Sequence, residues 1–559
     1  MRRHGGWRGR DALAVALLVA LYAAIHLVWS DPFGEDFMPA PDALEYVAAA
    51  EALLSHGLPA IALSDGALYP SRYATGFPAA LAAWRGITGG GQTSALSFNW
   101  LMSALAVALT YLVGRHFAGR AGAFAAAALW TLAPRPMDMA ELVLCEPLLT
   151  TLVLAATGVI VARSNAGGAV SALAVGMLCG YLCAVRLVSV LLLAYLIPLA
   201  LALRRRGRPR DLAWGLAGSV PWVLLIAVLH LWLNGSPTRQ GYDLWAPYAT
   251  RWGEGWNWRY FLFPEFEGRL TQNPQPHWMT YLPMLAGLPP VGFGCIMFYS
   301  WPVAVGVVWR MWELRRGNRL RLRWALCLAL GVAVSLAVWS MYYYWDPRFF
   351  MPLMPLVMIL GCGALVPRPR EGWSGANQAR ALLLALAFWH STATTLFYLD
   401  HQRPWEISER RALRALAAVV PPGALIIYDG YPFFAASELG GRRIMNWAID
   451  GRDVILYESR SQRVTPLRPG DGRPPALFEG TALRDTALTA VQSAWEEDRE
   501  VWLLLYEPAV EQWLNQERLR ALEDHPSALE PIEVEGAPVL RVFRWRPDTA
   551  ADFSAPGQT

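Results

Sequence analysis

The chain has 559 residues, of which 55% are hydrophobic and 16% charged, with a formal net charge of +4. Soluble domains carry about 25% charged residues, and here the apolar residues gather in blocks of near-span length, which excludes a string of soluble domains. So small and scattered a positive balance also excludes nucleic acid as a partner.

A membrane span needs about 17–25 apolar residues. The first such block, 11–29, follows Arg2, Arg3, Arg8 and Arg10 as in a signal peptide. No small-residue cleavage site follows Trp29 and further spans come later, so an uncleaved anchor is expected. Residues 42–56 follow Pro41, end at Gly57 and space their apolar side chains by three and four, which predicts an amphipathic helix with Asp42 in its first turn. The short, Gly/Pro-broken stretch 74–88 fits a helix lying on the bilayer surface. Further spans are read near 95–114, 121–134, 142–162, 169–185, 187–203, 212–233, 290–309, 324–343, 349–366 and 381–399.

Arginines orient the bundle. They cluster at the N-terminus, at Arg115 to Arg120, at Arg163, and within 204–210, 310–323 and 368–380, and there is no Lys. Placing all these clusters in the cytoplasm requires 169–203 to cross twice, turning at Arg186, because one helix of that length far exceeds a ~30 Å core. About eleven spans then put the N-terminus inside and everything after about 400 outside. The segments 30–94 and 234–289 become outer loops. Beyond 400 the sequence turns polar and mixed in charge. Strands are expected at Ala424–Tyr428, Val501–Tyr506 and Val539–Trp545, with helices near 433–439, 485–497 and 509–523, which predicts a small α/β domain. The expected fold class is therefore a polytopic α-helical membrane protein, 1–399, with an extracytoplasmic α/β domain, 400–559. The six cysteines all lie in apolar blocks and read as core residues.

Ionisable groups near spans carry the chemical information, since charge in a bilayer costs several kcal/mol. On the outer side stand Asp31, Glu35, Asp36, Asp42, Glu45, Asp65, Asp138, Glu141 and Glu146, with Arg72, Arg135, Arg186 and Arg348. Carboxylates and arginines at one membrane face suit transfer from a phosphorylated lipid, an acid acting as base on an acceptor hydroxyl and guanidiniums neutralising a departing phosphate. Each residue also has a bland reading. Asp42 can be a helix N-cap, Glu146 a solvated helix end, Arg186 a snorkelling side chain and Arg348 a partner of Asp346 under an aromatic belt. His230 and His277 are isolated, so no metal ligands are assigned. The Trp-rich loop 245–258 reads as an interface anchor before a sugar platform.

The pattern Asp42-x-x-x-Tyr46-x-x-Ala-x-x-Leu-x-x-x-Gly57 after the first span resembles the first outer loop of GT-C membrane glycosyltransferases. The nearest likeness is to bacterial family-39-like enzymes, relatives of protein O-mannosyltransferases and of the lipid A aminoarabinose transferase. Tyr69-Pro-Ser-Arg72-Tyr-Ala-Thr-Gly76-Phe-Pro78, Glu146-Pro-Leu, Arg186, Asn234-Gly-Ser-Pro237 and Arg348-Phe-Phe-Met-Pro352-Leu-Met-Pro355 follow in the order that family uses. The family's frequent Asp-Glu pair is Asp42-Ala43 here, Leu187 stands where Pro usually follows the Arg, and Phe349 replaces a Tyr.

The resemblance implies an inverting transfer from a polyprenyl-phosphate sugar to a lipid, glycan or protein acceptor outside the bacterial cytoplasmic membrane. Asp42 would be the general base, with Glu45, Tyr46, Arg72, Asp138, Glu146, Arg186 and Arg348 binding substrate. Arg186 and Arg348 would hold the lipid phosphate. No cofactor is required by this reading, and it leaves a divalent metal open. Three other readings stay open from the sequence: a lipid or sugar transporter or flippase, a polysaccharide polymerase or ligase working from loop 234–289, and a membrane-anchored binding protein working through 400–559.

Overall fold

The computed structural model describes residues 9–29, 41–62, 68–71, 73–90, 92–163, 168–203, 209–238, 256–263, 265–266, 269–270, 275–288, 298–317, 319–342, 345–369, 372, 374–398, 412–428, 439, 442–446, 455–458, 463–466, 491, 493–506, 529–535 and 540–546. The membrane part is an all-helical bundle. Helix α1 (Gly9–Trp29) and α2 (Pro41–His56) lead to a two-stranded hairpin, β1 (Ala60–Ala62) with β2 (Leu68–Pro70), and to α3 (Gly76–Thr88). Then come α4 (Gln92–Phe117), α5 (Gly119–Thr131), α6 (Pro134–Glu141), α7 (Glu146–Arg163) and α8 (Ala169–Val185). A 3-10 turn (Leu187–Leu192) opens α9 (Leu193–Leu203), followed by α10 (Pro209–Asn234), the two-stranded pair β3 (Glu265–Phe266) and β4 (Arg269–Leu270), and the short α11 (His277–Leu285). Helices α12 (Trp301–Arg316) and α13 (Arg319–Trp339) follow. A second 3-10 turn (Pro347–Leu353) then runs into α14 (Met354–Leu365), and α15 (Gly375–Phe397) closes the bundle.

Three sequence expectations change. The stretch 134–141, left between the spans expected at 121–134 and 142–162, is helix α6, started by Pro134 in its first turn. It meets α7 at a bend of 117°, so the span read at 142–162 begins at Glu146. The block read as 290–309 becomes a helix at Trp301, where Pro302 sits in the first turn; 289–297 lie outside the described residues. The count of about eleven full spans is not reproduced. Among the described residues five helices are long and apolar enough to cross a membrane, or six if the bent pair α6–α7 is one span. The reason is length: α5 has 13 residues and α9 has 11, or roughly 16–20 Å of helix against a ~30 Å core.

Close backbone approach holds the bundle together where lipid offers no hydrophobic drive. Helix α8 lies on α10 so closely that a Cβ at Gly176 would stand 1.9 Å from the Gly215 carbonyl oxygen. Gly76, opening α3, is pressed on the end of α8: a Cβ there would meet the Ala184–Val185 peptide at 2.5–2.6 Å, and its carbonyl accepts from the Tyr181 hydroxyl at 3.1 Å. The start of α3 is thereby seated against the residue before Arg186. We expect Gly76→Ala to lower the melting temperature in detergent, since overpacking costs about 1–3 kcal/mol; an unchanged melt would show that this contact carries no strain.

The C-terminal region forms a seven-stranded mixed sheet in the order β10-β11-β9-β5-β6-β7-β8. Its strands are β5 (Leu425–Tyr428), β6 (Arg443–Asn446), β7 (Ile455–Glu458), β8 (Arg463–Pro466), β9 (Val501–Tyr506), β10 (Leu529–Ile532) and β11 (Leu540–Trp545). The central β5 runs parallel to β6 and β9, and every other pairing is antiparallel. The three apolar strands read from the sequence are present. Four more carry Arg443, Glu458, Arg463 and Pro531 at positions that blur an apolar pattern. The helices expected at 433–439 and 509–523 fall almost wholly outside the described residues.

Candidate active site

The chain breaks that bring side chains inward all lie on one side of the bundle. Helix α8 ends at Arg186, which adopts an extended conformation (φ −155°, ψ 118°) before the 3-10 turn. A cation there suits the negative end of the helix dipole. Helix α7 starts at Glu146, where a carboxylate is favoured for the opposite reason. Just upstream, Val143 holds a positive φ of 49°, rare for a β-branched residue, within the turn that aims Glu146 back toward the bundle. Pro347 takes the first position of the 3-10 turn that presents Arg348, and Asp346 caps it by accepting from the Arg348 backbone N–H at 2.9 Å.

These pieces assemble one charged chain. Arg186 Nη1 donates to Glu146 Oε1 at 2.7 Å, and Glu146 is 1% exposed. Arg348 Nε stands 3.7 Å from the same oxygen. Arg348 Nη2 donates to Asp42 Oδ2 at 2.9 Å, and the Tyr73 hydroxyl donates to Asp42 Oδ1 at 2.6 Å. Arg348 Nε also pairs with Asp346 Oδ2 at 2.9 Å. The Arg186 guanidinium lies over the Phe349 ring at 4.7 Å, and Phe349 stacks on Trp339 at 3.9 Å. A cation on stacked aromatics gains from the ring quadrupole and stays planar and oriented.

A cleft opens here, walled by Glu146, Arg186, Arg348, Trp339, Phe349 and Ser189 among others. Asp42 stands on the far side of Arg348 and keeps 21% of its side chain exposed.

The structure thus brings Asp42, Glu146, Arg186 and Arg348 together from four separate chain segments. Glu45 is buried and accepts from Ser71 Oγ at 3.0 Å, and the buried Tyr46 hydroxyl faces Cys145 Sγ at 3.6 Å; both pack the shell behind Asp42. Asp138 lies away from the cleft walls, held by Arg135 and by the Tyr398 hydroxyl at 2.8 Å. Arg72 lies outside the described residues. The sequence reading passed over Tyr73, although it sits inside the Pro/Gly motif, and treated Asp346 only as a neighbour of Arg348. The one signal for both was their place within two residues of a motif arginine. The Trp-rich loop also reaches this wall: Trp256 packs on Trp339 at 5.2 Å and on Tyr342 at 4.6 Å. Among the described residues no group of three or more His, Cys, Asp or Glu side chains could hold a metal.

His277, at the start of α11, is fully buried, and burial pushes its imidazole down to about 4. The unfolded chain takes up a proton near pH 6.5 and the folded one only near 4, so stability falls as the pH drops through that window. We expect the melting temperature to fall between pH 7 and pH 5, and to fall less in His277→Phe; equal pH slopes for the two proteins would contradict this.

Two solved structures share this architecture. Both are ArnT from Cupriavidus metallidurans. One, bound to undecaprenyl phosphate, superposes with a TM-score of 0.53 at 14% identity, over 96% of this chain and 99% of that one. The other, in the apo state, superposes with a TM-score of 0.54 at 14% identity, over 97% and 100%. No protein-family profile and no curated protein sequence matches the chain. The likeness is one of fold: the chain shares the architecture of these two structures, with several helices long and apolar enough to cross a membrane.

Proposed function

We propose that the chain is an integral-membrane glycosyltransferase that moves a sugar from a polyprenyl-phosphate-linked donor to an acceptor hydroxyl on the extracytoplasmic face of a bacterial inner membrane. In this reading 1–399 is the catalytic membrane part, the N-terminus is cytoplasmic, and 400–559 is an outer domain. The observation that carries it is the single chain of charges, Asp42–Arg348–Glu146–Arg186, with two of its guanidiniums facing one cleft. The shared fold adds a protein whose structure holds undecaprenyl phosphate.

The chemistry is one displacement. The acceptor oxygen attacks the anomeric carbon, the bond from that carbon to the lipid phosphate oxygen breaks, and the acceptor proton passes to the Asp42 carboxylate. The phosphate leaves with the bonding electron pair, and Arg186 and Arg348 neutralise the charge that grows on it. With Asp42 as base on the face opposite the leaving phosphate, this single displacement inverts the anomeric centre. Glu146 keeps Arg186 ionised and aimed; the aromatic pair Trp339–Phe349 backs it.

The test is turnover. Purified chain in lipid vesicles receives a labelled polyprenyl-phosphate sugar and a panel of lipid, glycan and peptide acceptors. The expected result is release of polyprenyl phosphate with an inverted product linkage. Retained configuration would remove the single-displacement scheme, and transport of the donor without release would favour a flippase.

A further inference from the structure

We infer that Asp346 and Arg135 are positioning residues of this site, a buried relay that fixes the guanidinium of Arg348 and ties it to the end of α15. This rests on the transferase reading above and gives Asp138 a supporting place instead of a substrate-binding one. Arg348 is pulled from two sides, by Asp42 at 2.9 Å and by Glu146 at 3.7 Å. A flexible side chain in that position can rotate about its stem and present different N–H edges. Asp346 removes that freedom. One of its oxygens lies 2.9 Å from Arg348 Nε, and the other accepts from the Arg348 backbone N–H at 2.9 Å. A single carboxylate therefore grips both the backbone and the head of Arg348, which leaves the Nη edge to face Asp42.

Asp346 is itself held. Arg135 Nη2 donates to its Oδ1 at 2.6 Å, while its backbone N–H donates to the Tyr281 hydroxyl at 3.3 Å. Arg135, on the short helix α6, turns its other amino group to Asp138 on the same helix. Asp138 accepts from Tyr398 at 2.8 Å, at the point where the chain leaves the bundle for 400–559. Asp346, Asp138 and Tyr398 are all buried, so water does not screen the relay. The position of the outer region's attachment point is thus linked, through four contacts, to the orientation of Arg348.

The experiment is a double-mutant cycle on the full-length protein in vesicles. Asp346→Asn keeps size and the turn cap but removes the charge. It should lower kcat by about 10²-fold, the scale of a misplaced reacting group, while the donor KM changes little. In an Arg348→Lys background the same substitution should cost far less, because the group it positions is already gone. Arg135→Gln should behave as a weaker copy. Tyr398→Phe, which keeps the ring packed, should lower kcat by about 2–10-fold, the worth of one hydrogen bond, and serves if the charge variants fold poorly. The same cycle run on undecaprenyl phosphate affinity separates the two levels of the claim. A wild-type protein that neither binds this lipid nor releases it from a donor overturns the transferase reading and the relay with it. Wild-type activity with additive losses for Asp346→Asn and Arg348→Lys overturns the relay alone, as do losses that follow only a lowered melting temperature.

Discussion

Asp42→Asn is expected to lower sugar transfer by ~10²–10⁴-fold, the usual worth of a positioned general base, with the protein still folded and still binding polyprenyl phosphate. Asn keeps the shape and one acceptor oxygen, so the Tyr73 hydroxyl at 2.6 Å retains a partner. What is lost is the negative charge facing Arg348 and the ability to take a proton. The charge that loses this partner is Arg348, which keeps Asp346 at 2.9 Å and Glu146 at 3.7 Å, so the substitution leaves no buried charge unpaired. A pure stability role would therefore show as a lower melting temperature with near-normal turnover per folded molecule. Near-normal turnover would remove Asp42 from its role, and the separation of the two readouts makes the variant informative.

The second large effect is expected at Arg186. Removing its guanidinium by Arg186→Ala should weaken polyprenyl phosphate binding and lower turnover by about 10²–10³-fold, as for loss of one group that stabilises developing negative charge. Truncation also strands Glu146, which is 1% exposed and 2.7 Å from Arg186 Nη1. A buried pair broken on one side costs roughly 3–5 kcal/mol, so the variant should melt lower as well. Arg186→Ala combined with Glu146→Gln removes the stranded charge and should recover much of the stability without recovering transfer. Arg186→Lys keeps the charge but loses planar contact with Phe349 at 4.7 Å, and should fall between the two. Recovery of transfer in the Ala–Gln pair would show that the arginine serves only to neutralise Glu146.

Parts of this architecture were legible because they follow from spacing. Helix α2 is visible from Pro41, Gly57 and the apolar rhythm between them, and the α8–α9 turn from the excess length of 169–203. The broken helix α6–α7 was hidden. The break spans Leu142–Cys145, where Val143 takes a positive φ, and nothing in that stretch looks like a turn, since it contains neither Gly nor Pro. The strands β6 to β8 were hidden because each is only four residues long and begins or ends on a charged residue or proline.

The site was legible in its members more than in its wiring. Charges at the outer ends of spans named Asp42, Glu146, Arg186 and Arg348, because a bilayer penalises charge strongly enough that each one must be explained. Which carboxylate meets which guanidinium depends on contacts up to 306 positions apart, and no local pattern encodes them. Asp138 shows the difference. Its place among the outer-side carboxylates suggested the cleft, and packing turned it to Arg135 and Tyr398 instead.

The central claim is that Arg186 and Arg348 face a common phosphate. A structure of the chain with undecaprenyl phosphate bound tests it most directly. The account predicts phosphate density in the cleft beside Glu146, within hydrogen-bond reach of both guanidiniums, with Asp42 facing the side opposite the lipid. Phosphate bound elsewhere, with Arg186 still closed on Glu146 and Arg348 on Asp42, would contradict it.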